Sequence, residues 1–251
     1  MRDLTGAGVL DGRRCLVTGA ASGIGAAIAK AFADAGATLA LADRDAVGLE
    51  RTAASTQAAT HHIADLADPV QVESMVDAVL TAHGGIDVLV NSAGILTEVP
   101  LVEMELRTWQ QMIDIDLTSV FLTCRAVTPH MLAAGGGRII NVASQLGQKG
   151  GEGLTHYSAA KAGVIGFTKA LAREVSARGV LVNAIAPGPI DTPLVDGLSP
   201  EWKQAKEAEL PLGRFGRPEE VAPTAVLLAS DPGGNLYTGQ TLGPNSGDVM
   251  A

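Results

Sequence analysis

The sequence has few aromatic residues and fewer basic than acidic side chains, and each shortage excludes a class of function. Phe, Trp and Tyr make up 3% of the 251 residues, and 18 Lys and Arg stand against 27 Asp and Glu, for a net charge of −9. Nucleic-acid binding requires clustered basic side chains or aromatic stacking platforms, so we expect no nucleic-acid partner. No uninterrupted apolar run approaches the roughly 18 residues of a membrane-spanning helix, so we expect no membrane partner.

Cysteine and histidine are also scarce, which argues against a disulfide or a metal site. Cys15 and Cys124 fall in a predicted strand and a predicted helix, where we expect small buried hydrophobic residues. His61 and His62 are adjacent, so on a strand they point to opposite faces and we expect no metal. The first eight residues carry no apolar core of signal-peptide length, and we expect a cytoplasmic protein.

Strand-like apolar segments alternate with helical patterns along the chain. Strands are predicted near 13–18, 38–43, 60–65, 86–91, 137–143, 180–186 and 240–243. Helical segments are predicted near 23–35, 45–57, 69–83, 106–134, 155–178 and 218–230. This alternation predicts right-handed crossovers and an α/β fold, a doubly wound parallel sheet of about seven strands with helices on both faces. We expect one domain over residues 1–251.

A glycine-rich turn joins the first predicted strand to the first predicted helix. It reads Thr18-Gly-Ala-Ala-Ser-Gly-Ile-Gly25, and its glycines are Gly19, Gly23 and Gly25. Glycines let the backbone approach a ligand closely, and the free N–H groups of a helix N-terminus attract an anion. The spacing differs from the usual G-x-G-x-x-G, but the position between strand and helix predicts a phosphate site.

The second predicted strand ends in a carboxylate, Asp43, 24 residues after Gly19. A βαβ unit that binds a dinucleotide has a ribose-binding acid at about this distance. A carboxylate accepts hydrogen bonds from a 2′-hydroxyl and repels a 2′-phosphate, so NAD is favoured over NADP. Arg44 follows directly and can pair with a 2′-phosphate, which keeps NADP open.

Tyr157 and Lys161 are four residues apart in a predicted helix, and therefore lie on the same face. A unit charge about 4 Å away at an effective dielectric near 20 is worth about 4 kcal/mol. That energy corresponds to roughly three pKa units, enough to bring a phenol from about 10 to about 7. Tyr157 is therefore a candidate acid and base, although an ordinary surface Tyr beside a Lys has the same spacing.

These motifs, taken in order, resemble those of the short-chain dehydrogenase/reductase family, in its single-domain form of about 250 residues. Asn91-Ser-Ala-Gly94 resembles the family's Asn-x-Ala-Gly segment, and Ser144 stands 13 residues before Tyr157, where the family has its catalytic serine. Pro187-Gly-Pro-Ile-Asp-Thr192 resembles the Pro-Gly segment over the nicotinamide. The resemblance implies a Rossmann-type fold and hydride transfer between a nicotinamide and a secondary alcohol or ketone.

The resemblance also implies a set of site residues. The expected catalytic residues are Ser144, Tyr157 and Lys161. Lys161 is also expected on the nicotinamide ribose, and Tyr157 beside the cofactor. The other expected cofactor contacts are Gly19, Ser22, Gly23, Ile24, Gly25, Asp43, Asp65, Leu66, Asn91, Ala93, Gly94, Pro187, Gly188, Ile190 and Thr192. For Asn91 we also expect side-chain hydrogen bonds that stabilise the end of its strand.

Two segments depart from the family pattern. Asp116 stands where the family usually has an Asn, which adds a potential negative charge near Lys161. We expect activity to survive, with Asp116 either partly protonated or paired with Lys161, and we count it as a tentative catalytic residue. The segment Leu242 to Asp248 stands where many relatives have Asp-Gly-Gly, so its contacts are open.

Substrate identity is the least determined property. We expect a substrate lid over 188–215, and a largely apolar pocket formed by Leu194, Val195, Leu198, Trp202 and Leu210 with Val99, Leu146 and Leu154. The expected function is NAD-dependent oxidation of a small secondary alcohol or polyol. The alternative is an NADPH-dependent 3-oxoacyl-carrier-protein reductase, and a non-catalytic nucleotide-binding sensor is a third reading. The resemblance further implies a homo-oligomer, either a tetramer or a dimer.

Overall fold

The computed structural model describes residues 8–195 and 200–250, without the side chains of Pro200 and Trp202. Its strands are β1 (Arg14–Thr18), β2 (Thr38–Asp43), β3 (Thr60–Ile63), β4 (Val88–Asn91), β5 (Gly137–Val142), β6 (Val180–Ile185) and β7 (Thr241–Leu242). Its α-helices are α1 (Gly23–Asp34), α2 (Ala46–Thr56), α3 (Pro69–His83), α4 (Leu106–Ile113), α5 (Ser119–Ala133), α6 (Leu146–Lys149), α7 (Thr155–Val175), α8 (Pro200–Glu209) and α9 (Pro218–Ala229). The first seven residues, on which the signal-peptide expectation rests, lie outside the described part.

The strands form one sheet in the order β3-β2-β1-β4-β5-β6-β7, and every pairing is parallel. This confirms the predicted doubly wound α/β fold of seven strands. The strand order reverses direction between β1 and β4, which is where such sheets bind ligands. In the register, Thr18 pairs with Asn91 and Asn91 with Asn141, so the ends of three central strands are level.

Each face of the sheet is covered by three helices. Side chains alternate along a strand, and in β1 Val17 packs toward α1, α2 and α9 while Leu16 packs toward α3, α5 and α7. Both layers are apolar, as buried parallel strands require. Cys15 and Cys124 are buried free thiols, as predicted, and burial raises the pKa of both, that of Cys124 to about 12.

The chain between β4 and β5 differs from the single helix predicted over 106–134. α4 and α5 are joined by one π-helical turn, Asp114–Thr118, which contains Asp116. π-helical turns occur often at functional sites. The structure also has two helices that the periodicity did not predict, α6 directly after Ser144 and α8 within the predicted lid.

Two expected absences can be examined over the described residues. Among them no helix combines the length and apolarity needed to cross a bilayer. The same residues contain no cluster of three or more potential metal ligands. His62 and His83 instead contact Thr60 Oγ1, at 3.1 and 2.9 Å.

Candidate active site

A cavity of about 1010 Å³ lies at the carboxyl ends of the central strands. Its wall contains all the expected catalytic and cofactor-binding residues except Asn91. These are Gly19, Ser22, Gly23, Ile24, Gly25, Asp43, Asp65, Leu66, Ala93, Gly94, Asp116, Ser144, Tyr157, Lys161, Pro187, Gly188, Ile190 and Thr192. Most of them follow a strand or begin the next helix, whereas Asp116 comes from the π-helical turn and Lys161 from the second turn of α7.

Two glycines of the turn after β1, Gly19 and Gly25, are packed too closely for a side chain. Gly19 has φ +66°, and a Cβ there would lie 2.5 Å from the backbone nitrogen of Ala93. A Cβ on Gly25 would collide with the Gly19 carbonyl. The first N–H groups of α1 have no partner within the helix, and Ser22 does not cap them with its side chain. This cradle fits the pyrophosphate of a nicotinamide dinucleotide.

Asp43 is fixed at the rim of the same cavity. Its Oδ2 accepts a hydrogen bond from Ala21 N at 3.0 Å, and its Oδ1 accepts one from Asp45 N at 3.0 Å. Each oxygen keeps a lone pair for a ribose hydroxyl. Arg44 also lines the cavity and is exposed. At this point of the rim the oriented Asp43 carboxylate therefore lies next in sequence to a solvated guanidinium.

Asn91 lies in the sheet interior rather than in the cavity wall. Its Nδ2 donates to Asn141 Oδ1 at 2.9 Å, and its Oδ1 accepts from Thr123 Oγ1 at 2.7 Å. Asn141 Nδ2 in turn donates to Thr168 Oγ1 at 2.9 Å. The network joins β4 and β5 to α5 and α7, as expected for the strand end. Because Asn91 does not line the cavity, its expected contact with the cofactor stays a prediction.

Tyr157 and Lys161 extend from α7 into the cavity beside the end of β5. Lys161 Nζ lies 5.6 Å from the centre of the Tyr157 ring and donates to the Val142 carbonyl at 3.1 Å. Both residues are more than nine-tenths buried. Ser144 follows β5, and its Oγ accepts from Leu146 N at 3.1 Å. A ketone oxygen in this cavity thus meets a hydroxyl and a phenol close to a fixed ammonium.

Asp116 forms a buried ion pair with Lys161. The π-helical turn directs its carboxylate inward, where Oδ1 accepts from Ile95 N at 2.8 Å and Oδ2 lies 3.2 Å from Lys161 Nζ. A Cβ on Gly94 would lie 2.9 Å from the same Oδ2. An Asn can accept the Ile95 hydrogen bond equally well, but its NH₂ cannot pair with an ammonium. The pairing that the sequence offered as one of two possibilities is present.

Burial and charge act against each other at this cluster. Burial raises the pKa of Tyr157, and the Asp116 carboxylate adds to the rise, while Lys161 and Ser144 oppose it. Burial raises the pKa of Asp116 more than Lys161 lowers it. Burial lowers the pKa of Lys161, but Asp116 and Tyr157 outweigh it, so that pKa is raised. The sequence-based argument for a phenol pKa near 7 counted the ammonium and omitted burial, which raises the pKa of Tyr157.

His156 is a buried neighbour of the catalytic pair that the motifs did not reveal. Its Nε2 contacts Thr97 Oγ1 at 2.9 Å, and its Nδ1 is buried without a hydrogen-bond partner in the described part of the chain. Burial lowers its pKa against the opposing effect of Asp116, which favours the neutral imidazole. The only feature of the sequence that pointed to His156 was its position directly before Tyr157.

The segment predicted as a lid contains α8 and a helical turn over Pro193–Val195. Leu194 and Val195 line the cavity, as do Leu146 and Leu154. Val99 and Leu210 do not line it. Leu198 lies outside the described residues, and the side chain of Trp202 is not described. Lys206 of α8 and Lys149 of α6 do line the cavity, so one end of it is more polar than predicted.

Comparison with known proteins agrees with this geometry. A family model described as Enoyl-(Acyl carrier protein) reductase matches residues 19–247. The chain belongs to the short-chain dehydrogenase/reductase family. A solved member, described as a putative short-chain alcohol dehydrogenase from Sinorhizobium meliloti, superposes with a TM-score of 0.91 at 34% identity, over 95% of this chain and 97% of that one.

Two relatives show the range of names within this family. A 3-oxoacyl-[acyl-carrier-protein] reductase FabG from Thermotoga maritima is 40% identical over 96% of this chain and 99% of its own length. A D-threitol dehydrogenase from Mycolicibacterium smegmatis is 45% identical over 88% of this chain and 87% of its own. The reductase name recurs among the other relatives. An oxidoreductase activity of this family is therefore confirmed, and the names favour our alternative substrate over our first one.

Proposed function

We propose that this protein interconverts a ketone and a secondary alcohol with NAD(H) as the hydride carrier. The observation that carries the proposal is the convergence of Ser144, Tyr157 and Lys161 on the cavity that also contains the glycine turn. When bound, the nicotinamide supplies or accepts the hydride. The sensor reading loses support because all three catalytic side chains are in place.

The chain's own residues account for the proton. During ketone reduction the Tyr157 hydroxyl gives its proton to the oxygen, and during alcohol oxidation the phenolate takes it back. Lys161 stabilises the phenolate electrostatically, and the hydrogen bond to the Val142 carbonyl fixes the position of the Lys161 ammonium. Ser144 holds the substrate oxygen near the phenol. Tyr157 and Lys161 are almost entirely buried, so solvent screens the interaction between their charges only weakly.

Asp43 supports NAD(H) over NADP(H). Its carboxylate is held by two backbone N–H groups at the rim, where it has free lone pairs for ribose hydroxyls and repels a 2′-phosphate. The turn itself contributes only Ala20, Ala21 and Ser22 beside the glycines, and none of these is basic. Arg44 supports the opposite preference, but it is exposed to solvent, where a single ion pair is worth little.

The relatives' names support a 3-oxoacyl thioester as the first candidate for the oxidised substrate. Polyols and cyclic hydroxy acids are the second candidate, since a D-threitol dehydrogenase and a cis-4-hydroxycyclohexanecarboxylate dehydrogenase are also relatives. The cavity of about 1010 Å³ combines apolar walls with a polar end, which suits a substrate that has both apolar and polar parts.

The test measures hydride transfer from the near-ultraviolet absorbance of reduced nicotinamide, with each cofactor and both substrate classes. We expect turnover with NAD(H), and Asp43→Asn is expected to weaken NAD binding about tenfold or more while NADP binding changes little or improves. Asp34→Asn, an exposed carboxylate in an i,i+4 pair with Lys30, is the matched control. Preferred use of NADPH by the unchanged protein contradicts the cofactor proposal, and cofactor binding without any turnover contradicts the reaction.

The remaining expectations are also proposals. We propose one catalytic domain with a lid over 188–215, a cytoplasmic location and a homo-oligomer. Light scattering coupled to size-exclusion chromatography measures the mass of the particle in solution, and the mass of a single chain contradicts the proposed homo-oligomer.

A further inference from the structure

The C-terminal segment forms a tight turn over 245–249 beside the cavity. Asn245 accepts from the N–H of Gly247 at 3.0 Å through its side chain and from that of Asp248 at 3.1 Å through its carbonyl. Its own Nδ2 donates to the Val249 carbonyl at 2.8 Å. The turn directs the Asp248 side chain inward, where it is 8% exposed although it lies near the end of the chain. This is the segment whose contacts the sequence left open.

Three donors from two parts of the chain, the α6 segment and α8, converge on the Asp248 carboxylate. Lys149 Nζ of α6 lies 2.6 Å from Oδ1, and Lys206 Nζ of α8 lies 3.0 Å from Oδ2. Gln145 donates its Nε2 to Oδ2. Burial works to raise the pKa of Asp248, but the two ammonium groups outweigh it and hold the pKa below its usual value. The carboxylate is therefore a fixed negative charge around which these donors are arranged.

The same donors form the polar end of the substrate cavity. Gln145, Lys149 and Lys206 all line it together with Ser144 and Tyr157. Lys206 is also bound to Glu209 at 2.9 Å and its side chain is 14% exposed, whereas that of Lys149 is 32% exposed. An ammonium has three N–H donors, so Lys149 keeps donors for a ligand after pairing with Asp248. Lys149 is the last residue of α6 and lies five residues after Ser144, which precedes that helix.

We infer that Lys149, positioned by Asp248, binds a second oxygen of the substrate, apart from the one that reacts. The inference rests on the proposed function and narrows its substrate class to ketones and alcohols with another acceptor oxygen. Thioester carbonyl, carboxylate and hydroxyl groups all fit, because each accepts a hydrogen bond from an ammonium. A hydrocarbon alcohol leaves the Lys149 donors without a substrate partner. Asp248 is a positioning residue here, since it does not line the cavity.

The test compares matched substrate pairs in the full-length protein with its preferred cofactor. One pair is a 3-oxoacyl thioester against a plain ketone of similar length, and the other is a cyclic hydroxy acid against the unsubstituted cyclic alcohol. Lys149→Met is expected to lower kcat/KM about 10- to 100-fold for the oxygen-bearing members, mainly through KM, since the lost hydrogen bond is charge-assisted. The plain members are expected to change less than about threefold. Asp248→Asn should lower kcat/KM for the same oxygen-bearing substrates, by a smaller factor than Lys149→Met.

Two further variants separate recognition from structure. Lys149→Arg keeps a cationic donor and is expected to restore part of the selectivity. Lys203→Met removes a lysine of the same helix as Lys206 that does not line the cavity, and it should leave both substrate classes unchanged. Equal loss on both members of a pair, or no loss, overturns the inference and leaves the proposed function standing. Absence of turnover with every substrate in the unchanged protein overturns both.

Discussion

Replacing Asp116 with Asn should move the pH dependence of catalysis toward acid. Lys161 Nζ lies 3.2 Å from Asp116 Oδ2 and 5.6 Å from the Tyr157 ring centre, which places the carboxylate within about 9 Å of the ring. At an effective dielectric near 20, a charge at that distance raises the free energy of the phenolate by about 1.8 kcal/mol, or about 1.3 pKa units. Burial raises the pKa of Asp116 and so acts against its charged form, and we expect the pH profile to move by about one pH unit or less.

The sign follows from the role of Tyr157. Alcohol oxidation requires the phenolate, so kcat/KM rises as the pH passes the pKa of Tyr157, and a lower pKa brings that rise to lower pH. Ketone reduction requires the protonated phenol, so its decline with rising pH should move in the same direction. Both profiles are measured by hydride transfer at saturating cofactor.

Asp114→Asn is the matched control for this experiment. Asp114 belongs to the same π-helical turn, but its carboxylate accepts from Gln110 Nε2 at 2.8 Å and does not face Lys161. Its profile should equal that of the unchanged protein. If Asp116→Asn also leaves both profiles in place, then the charge is not sensed by Tyr157 and the reasoning is refuted. Asn retains the hydrogen bond from Ile95, so a fold defect is not expected.

Three further predictions concern the catalyst, the cradle and the sheet. Tyr157→Phe should reduce turnover at least ~100-fold with NAD affinity nearly unchanged by fluorescence titration, and retained turnover contradicts the assigned role. Gly19→Ala should lower the free energy of unfolding, measured in urea, by about 1–3 kcal/mol more than Gly12→Ala does. Both glycines have positive φ, but only at Gly19 would the added Cβ meet backbone atoms. Equal losses contradict the close approach of the Ala93 backbone to Gly19. Asn91→Ala should cost about 1–3 kcal/mol in the same assay by removing two buried hydrogen bonds, one to Asn141 Oδ1 and one from Thr123 Oγ1, and an unchanged midpoint contradicts that network.

Most of the fold was predictable because the apolar periodicity changes sharply at turns. The strand predicted over 38–43 has the same bounds in the structure, and that over 13–18 differs by one residue. The interruption at Asp114–Thr118 could not be predicted, since a π-helical turn keeps nearly the same hydrophobic pattern as the α-helix around it. α8 was missed as a helix because its ten residues are largely polar and charged.

The candidate site was predictable where one motif lies in one turn, as with Gly19 to Gly25, or on one helix face, as with Tyr157 and Lys161. Contacts between distant segments were not predictable. Asp248 meets Gln145 across 103 positions, and no spacing rule connects them. The pKa of Tyr157 depends on burial, which a motif does not contain, so its direction became clear only from the packed structure.

The strand order has a consequence for how the chain acquires its ligand affinity during folding. β1 pairs with β2 on one side and β4 on the other, and each parallel pair joins segments separated by at least one helix. Many native contacts are therefore non-local, which is typical of slowly folding proteins. One part of the cavity wall is the turn after β1, near the start of the chain. Another part consists of donors that are held in place by Asp248, near its end. A partly assembled chain therefore lacks one wall. A nucleotide that binds only the complete cavity adds its binding free energy to the cooperative unfolding transition, and refolded molecules should regain nucleotide affinity last.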